Sequence, residues 1–173
     1  VEVDFQPNLG KDKDKLAEII GNYDGLAIRS ATKATAKIIE KATKLKVIGR
    51  AGIGVDNVEI PAATAKGIIV MNTPFGNSIT TAEHAITLML ALAREIPQAD
   101  ASTQAGKWEK NRFMGVEITA KTLGVIGCGN IGSIVADRAL GLRMKVIAFD
   151  PFLSPERAKD IGVEKVEDRK SVV

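Results

Sequence analysis

Two glycine turns, each directly after a short apolar segment, carry the residue types best suited to binding small anionic molecules. The first turn spans residues 50–57 and reads Arg-Ala-Gly-Ile-Gly-Val-Asp-Asn, and the second spans 127–132 and reads Gly-Cys-Gly-Asn-Ile-Gly. Backbone N–H groups beside glycines stay uncovered by side chains, so a phosphate or carboxylate can approach them. Both turns are therefore candidate binding sites.

The turn at 127–132 has the surroundings that a dinucleotide fingerprint requires. An apolar segment at 122–126 precedes it, helical spacing from Ile131 to Leu140 follows it, and Asp150 ends the next apolar segment. A strand, a glycine turn, a helix, a second strand and a terminal acid form one βαβ unit of nucleotide-binding type. A glycine-rich turn without a ligand is the alternative.

Each part of this fingerprint has a distinct task. Gly127 permits the tight turn, Gly129 lets the backbone approach a pyrophosphate, and Gly132 lets the helix pack closely on the strand. Asp150 can accept hydrogen bonds from both ribose hydroxyls. Its charge repels a 2′-phosphate and no arginine follows it directly, so the sequence favours NAD over NADP.

Two arginines and one asparagine add polar groups to the first turn. Arg50 opens the turn and Arg29 ends the preceding apolar segment, so both guanidinium groups are expected at one edge of a sheet. Asn77 lies in a Pro/Gly-containing loop further along. Guanidinium groups match carboxylate and phosphate geometry, which predicts a cleft for a small anionic substrate. A tight turn with two surface arginines remains the alternative.

Composition excludes several classes of protein. Of 173 residues, 45% are hydrophobic and 26% charged, the net charge is +3, and no basic stripe with interleaved aromatics is present, so nucleic acid is not an expected partner. The single cysteine, Cys128, excludes an internal disulfide and a cysteine-based zinc cluster, and no metal site is predicted. No apolar run reaches membrane-spanning length and no signal-peptide pattern is present, so a cytoplasmic location without membrane contact is expected.

Strand and helix signals alternate along the chain. Strands are predicted at 1–5, 25–29, 45–49, 68–71, 122–126 and 145–149, and helices at 11–22, 32–42, 60–66, 78–94 and 131–140. Helices between short apolar strands indicate parallel βαβ units with right-handed crossovers. The predicted fold class is therefore α/β with parallel sheets.

A boundary is expected in the loop at 72–78, which divides the chain into domains at 1–73 and 74–173. The 78–94 helix is apolar enough that we expect it to be buried between lobes or between subunits of a homodimer or homotetramer. The chain has no initiator methionine and stops soon after the second strand of the nucleotide-binding unit, so it is expected to be part of a longer protein.

Several motifs together resemble the D-2-hydroxyacid dehydrogenase family. They are Arg50–Asn57, Gly67–Pro74, Gly76–Ser78 and Ala82–His84. The resemblance implies part of a flavodoxin-like substrate domain followed by the first part of a Rossmann NAD-binding domain. Further motifs, at 29–33, 106–109, 113–115 and 149–151, are similar to the branch of the family that acts on 3-phosphoglycerate.

The resemblance also implies residue roles. The substrate-binding residues would be Arg29, Arg50, Gly52, Ile53 and Asn77, and the cofactor-binding residues would be Ile53, Gly127, Gly129, Asn130, Ile131, Gly132 and Asp150. The implied reaction is NAD-dependent oxidation of 3-phosphoglycerate to 3-phosphohydroxypyruvate, the first step of L-serine biosynthesis. Alternatives are a glyoxylate or lactate dehydrogenase, or a corepressor-like protein that senses NAD.

Members of this family take the hydroxyl proton with a histidine that is paired to a glutamate. The resemblance places both beyond the second half of the Rossmann domain, so no catalytic residue is predicted within this chain. The only histidine, His84, lies in the long predicted helix. It is expected to pack or cap that helix rather than act as the base.

Overall fold

The computed structural model describes residues 1–172 and contains two three-stranded parallel sheets. The strands are β1 (Gly25–Ile28), β2 (Val47–Arg50), β3 (Ile69–Asn72), β4 (Thr122–Ile126), β5 (Lys145–Phe149) and β6 (Glu164–Lys165). The α-helices are α1 (Lys13–Ile19), α2 (Ala36–Lys41), α3 (Ile60–Ala65), α4 (Ser78–Ala93), α5 (Ile96–Gln104), α6 (Asn130–Gly141) and α7 (Pro155–Asp160). Short 3₁₀ helices cover Leu9–Lys11, Ile20–Asn22 and Arg169–Val172. The predicted α/β class with parallel sheets is confirmed.

Contacts between residues divide the chain into two compact units. The first unit ends at Asn77 and the second begins at Ser78. The sequence predicts the boundary between residues 73 and 74, inside the same loop.

The first unit is built on the sheet β1-β2-β3. Its parallel register aligns Ile28 with Arg50 and Arg50 with Asn72, so the three strands end at the same edge. Ile20, Ile39 and Ile48 are the largest fully buried side chains, and they fill the space between sheet and helices. Ile48 of the central strand β2 is fully buried, whereas Ile69 and Met71 of β3 are largely exposed.

The second unit is built on the sheet β4-β5-β6. Its core includes Ala136 and Ala139 of α6 and Ala148 of β5, all fully buried. Small side chains at these positions let α6 lie close to the sheet. The close approach predicted at Gly132 is present, because a Cβ there would lie 2.0 Å from the carbonyl oxygen of Gly127.

The strand predicted at 1–5 does not form. Residues 1–6 have no regular secondary structure, and β1 pairs only with β2. Val1, Val3 and Phe5 are exposed, and the segment is tied to the first unit by a hydrogen bond from the Tyr23 hydroxyl to Asp4. The strand predicted at 1–5 is therefore wrong, because alternating apolar residues alone do not supply a neighbouring strand to pair with.

The helix predicted at 32–42 begins only at Ala36. The four residues before it are held in a loop by hydrogen bonds to other parts of the unit. The Thr32 carbonyl accepts from Asn57, and Ala34 forms an isolated parallel bridge with Val58. These tertiary contacts outweigh helix propensity at the start of the predicted segment.

The long predicted helix is confirmed as α4, but its apolar face is covered only in part. Ala82 is fully buried, whereas Ile79 and Leu92 are 57% and 79% exposed. Helix α4 gives way to α5 at Glu95, which has a left-handed conformation just before Pro97. None of the helices in residues 1–172 combines the length and apolarity needed to cross a membrane.

Candidate functional site

The carboxyl edge of the first sheet collects polar side chains at three neighbouring strand ends. Arg29 directly follows β1, Arg50 is the last residue of β2, and Asn72 is the last residue of β3. Parallel register aligns these ends, as the sequence predicts. Open α/β sheets bind ligands at this edge.

The turn after β2 is fixed by hydrogen bonds to the segment that follows β3. The Gly52 N–H donates to the Thr73 hydroxyl at 2.7 Å, and the Thr73 N–H donates to the Gly52 carbonyl at 3.0 Å. The Asn72 amide donates to the Ile53 carbonyl at 2.8 Å. These hydrogen bonds hold Gly52 and Ile53 in place. The N–H groups of the turn that are not used in them therefore have a defined direction.

The Arg50 side chain folds back over Gly52. A Cβ on Gly52 would lie 1.6 Å from Nη1 of Arg50, and Gly52 has φ +146°, a value that other residues rarely adopt. Glycine at this position therefore serves two purposes, because it permits the turn and leaves room for the guanidinium group. Arg50 is half-buried, so its charge is less screened than that of an exposed arginine.

Asn57 belongs to this site, although its sequence position predicts no role for it. Its side chain is 7% exposed and its amide nitrogen donates to the carbonyls of Arg29 (3.0 Å) and Thr32 (2.6 Å). Its amide oxygen accepts from Nε of Arg50 at 3.4 Å. The signal available in the sequence is an asparagine closing a glycine turn, a common place for side chain–backbone hydrogen bonds. Its partners across the sheet edge are not visible in sequence spacing.

Two further predicted substrate-binding residues, Arg29 and Asn77, are more exposed than Arg50. Arg29 is exposed, with its backbone carbonyl bound by Asn57. Asn77 is exposed at the end of the first unit. The structure thus brings Arg29, Arg50, Gly52 and Ile53 to one edge, while Asn77 lies in the loop after β3.

The second glycine turn joins β4 to α6. Gly127 has φ +91° and its N–H donates to the Phe149 carbonyl at 2.8 Å. Gly129 is the N-cap of α6 with φ −75°, and no atom lies within 4 Å of the position of a Cβ there. Neither the backbone conformation nor the space around residue 129 therefore requires a glycine for folding. The open space over it suits the close approach of a ligand.

Asp150, directly after β5, is held by two backbone donors. Its Oδ2 accepts from the Cys128 N–H at 2.7 Å and its Oδ1 from the Phe152 N–H at 2.8 Å. A carboxylate oxygen can accept more than one hydrogen bond, so both oxygens keep capacity for ribose hydroxyls. The hydrogen bond from Cys128 thus links Asp150 directly to the glycine turn that follows β4.

These features fit a dinucleotide. No side chain caps the N-terminus of α6 at Gly129, and the first-turn N–H groups of a helix, here those of Asn130 and Ile131, have no partner within it. A pyrophosphate at that end would meet N–H donors and the positive end of the helix dipole. Asp150 is hydrogen-bonded to Cys128 of the same turn.

The surroundings of Cys128 disfavour the thiolate, which is the nucleophilic form of cysteine. Burial raises its pKa above the usual 9.0, and the nearby Asp150 carboxylate raises it further. Because the thiolate is the reactive form, we expect alkylation by iodoacetamide to be slow at pH 8 and still rising above pH 9. The rate of alkylation followed by mass spectrometry between pH 7 and 10 tests this. A plateau below pH 8.5 would contradict it.

The described residues include no evident general base beside either glycine turn, and the histidine lies elsewhere. His84 is exposed on α4, so it does not take the packing role that was one of the two expected for it. Within residues 1–172, no group of three or more His, Cys, Asp or Glu side chains is arranged to hold a metal ion.

Comparison with known proteins gives consistent matches over nearly the whole chain. The family model for the catalytic domain of D-isomer specific 2-hydroxyacid dehydrogenases matches residues 1–172. D-3-phosphoglycerate dehydrogenase of Archaeoglobus fulgidus is 52% identical over 95% of this chain and 31% of its own length. The enzyme of the same name from Methanocaldococcus jannaschii is 54% identical over 92% of this chain and 30% of its own length.

Among solved structures, D-lactate dehydrogenase of Aquifex aeolicus, complexed with NAD and lactic acid, has a TM-score of 0.81 and 25% identity. The match covers 87% of this chain and 45% of that one. The chain spans about a third or less of the length of the phosphoglycerate dehydrogenases it matches.

Proposed function

Since the chain belongs to the family of D-isomer specific 2-hydroxyacid dehydrogenases, we propose that the whole protein oxidises 3-phospho-D-glycerate to 3-phosphohydroxypyruvate with NAD. This reaction is the first step of L-serine biosynthesis. Relatives named D-3-phosphoglycerate dehydrogenase at 52% and 54% identity support the proposal.

The observation that carries the proposal is the presence of two arginines at adjacent strand ends. Arg29 and Arg50 lie on the edge where parallel sheets bind ligands, and Asn57 contacts both residues. The proposed substrate carries a carboxylate and a phosphate, which are the two groups that guanidinium binds best. A 2-hydroxy acid without phosphate would give the second arginine no partner.

We assign the substrate-binding portion to residues 1–73 and the N-terminal part of the NAD-binding domain to residues 74–173. The first contributes Arg29, Arg50 and the turn at Gly52 and Ile53, with Asn77 in the loop that follows. The second contributes the glycine turn and Asp150. The division of contacts after Asn77 supports this assignment.

The proposed site residues have separate tasks in this reaction. Bound NAD supplies the acceptor for the hydride that leaves C2 of the substrate. The N–H groups of Asn130 and Ile131 would hold the pyrophosphate, and Asp150 the adenosine ribose. Arg29 and Arg50 would bind the substrate anions, and the backbone at Gly52 and Ile53 would contact substrate and nicotinamide. Ile53 has no side-chain hydroxyl, so its contacts would come from the backbone.

Substrate selectivity tests the proposal. We expect the purified whole protein to reduce NAD with 3-phosphoglycerate far faster than with D-lactate or D-glycerate. In Arg29→Ala, kcat/KM for 3-phosphoglycerate should fall about tenfold or more, because one charged hydrogen bond is lost. D-glycerate, which lacks the phosphate, should be affected much less. Equal loss with both substrates would contradict a role for Arg29 in phosphate recognition.

Self-association and cellular location are further parts of the proposal. Leu88 and Leu92 of α4 and Ile96 of α5 are 57%, 79% and 54% exposed, which supports assembly into a homodimer or homotetramer through this surface. A cytoplasmic location stays a prediction.

A further inference from the structure

The carboxamide of Asn57 forms hydrogen bonds at both proposed substrate-binding arginine positions. It is buried among the ends of β1 and β2. It binds the backbone carbonyls of Arg29 and Thr32 through Nδ2, and the guanidinium of Arg50 through Oδ1. Its own backbone carbonyl accepts from the Ala34 N–H at 2.9 Å, which anchors it to the same loop.

The partners of Asn57 determine which way its amide points. Two carbonyl oxygens at 3.0 and 2.6 Å require a donor, and only the NH₂ group can supply both hydrogen bonds. A flipped amide would place its oxygen against two other oxygens. The oxygen of Asn57 must therefore face Nε of Arg50, which is itself a donor.

This contact decides which edge of the Arg50 guanidinium remains available to a ligand. The single hydrogen on Nε is directed to Asn57, so the side edge that includes Nε cannot bind another carboxylate or phosphate in bidentate fashion. The end formed by Nη1 and Nη2 is left for that purpose. Nη1 lies over Gly52, at the turn that we assign to substrate contact.

We propose that Asn57 is a positioning residue, which holds the Arg50 guanidinium over Gly52 so that its Nη1–Nη2 end receives the anionic substrate. The identity of the substrate in this inference rests on the proposed function. The role of Asn57 in holding the Arg50 guanidinium does not depend on it. At 3.4 Å the Arg50–Asn57 contact is at the long end of the hydrogen-bond range.

A double-mutant cycle in the whole protein tests whether the contact between Asn57 and Arg50 contributes to substrate binding. Arg50→Ala, Asn57→Ala and the double variant are compared by kcat/KM for 3-phosphoglycerate, with KM for NAD and the melting temperature as separate readouts. We expect Asn57→Ala to reduce kcat/KM about tenfold, chiefly through KM for 3-phosphoglycerate, and KM for NAD to stay unchanged. In the Arg50→Ala background the same change should have little further effect. Additive losses would overturn the proposal.

Matched variants separate positioning from general damage. Asn22→Ala makes the same change at an exposed asparagine of the first unit and should leave all readouts unchanged. If Asn57→Ala does not fold, Asn57→Ser takes its place in the cycle. Its hydroxyl is one atom shorter than the carboxamide and cannot reach Arg50, but it keeps a small polar group with one donor hydrogen beside the loop carbonyls.

Crystal structures of the same variants give a readout that needs no turnover. In Asn57→Ala or Asn57→Ser, the Arg50 guanidinium should leave its place over Gly52, whereas in Asn22→Ala it should stay. An unmoved guanidinium would overturn the proposal. If the unmodified protein fails to oxidise 3-phosphoglycerate, the proposed function fails, and the position of Arg50 in the crystals still decides the inference about Asn57.

Discussion

Replacing Arg50 by alanine should reduce kcat/KM for 3-phosphoglycerate by at least about 30-fold in the whole protein, equivalent to about 2 kcal/mol. The half-buried guanidinium lies over Gly52 and is held by Asn57, so its loss removes an already oriented partner for a substrate anion. Steady-state kinetics with varied 3-phosphoglycerate at saturating NAD measure the effect. Arg50→Lys should recover only part of the activity, because an ammonium group cannot bind in bidentate fashion.

The control for this change is Arg169→Ala, which removes an exposed arginine far along the sequence from the first unit. It should leave kcat/KM unchanged. Normal kinetics in a folded Arg50→Ala protein would remove Arg50 from the substrate site.

A methyl group at Gly129 should weaken NAD binding about tenfold or more while the melting temperature changes little. Gly129 has φ −75° and no atom within 4 Å of a Cβ, so the isolated fold accepts alanine there. A pyrophosphate that approaches the backbone would not. Isothermal titration calorimetry with NAD and a thermal melt give the two readouts.

Two glycines of helix α6, Gly132 and Gly141, serve as controls for Gly129→Ala. Gly132→Ala should lower stability by about 1–3 kcal/mol, since its Cβ would meet the Gly127 carbonyl at 2.0 Å and the helix would have to move. Gly141→Ala, at the end of α6 with open space around it, should leave NAD affinity unchanged and should not lower the melting temperature. Undiminished NAD affinity in Gly129→Ala would contradict the assigned pyrophosphate position.

The two βαβ sheets were predictable because their signals are local. Apolar runs such as 122–126, separated by helical spacing and glycine, indicate parallel strands without knowledge of distant contacts. The positions of Arg29 and Arg50 follow from the same rule, since residues that end adjacent parallel strands share an edge.

What the sequence could not reveal depends on partners distant in the chain. Asn57 acts on carbonyls 25 and 28 residues away, and no periodicity reports such contacts. The shortened start of α2 has the same cause, because Thr32 and Ala34 are bound elsewhere before a helix can include them. The segment 1–5 has strand-like alternation but no neighbouring strand in the described sheet.

The two backbone hydrogen bonds to Asp150 have a thermodynamic consequence. A carboxylate clamped by the N–H groups of Cys128 and Phe152 has already lost its rotamer freedom before any nucleotide arrives. The side-chain entropy that a mobile acid would lose on binding has therefore been lost during folding. The held carboxylate also cannot rotate away from a 2′-phosphate, so its repulsion would act in full against NADP.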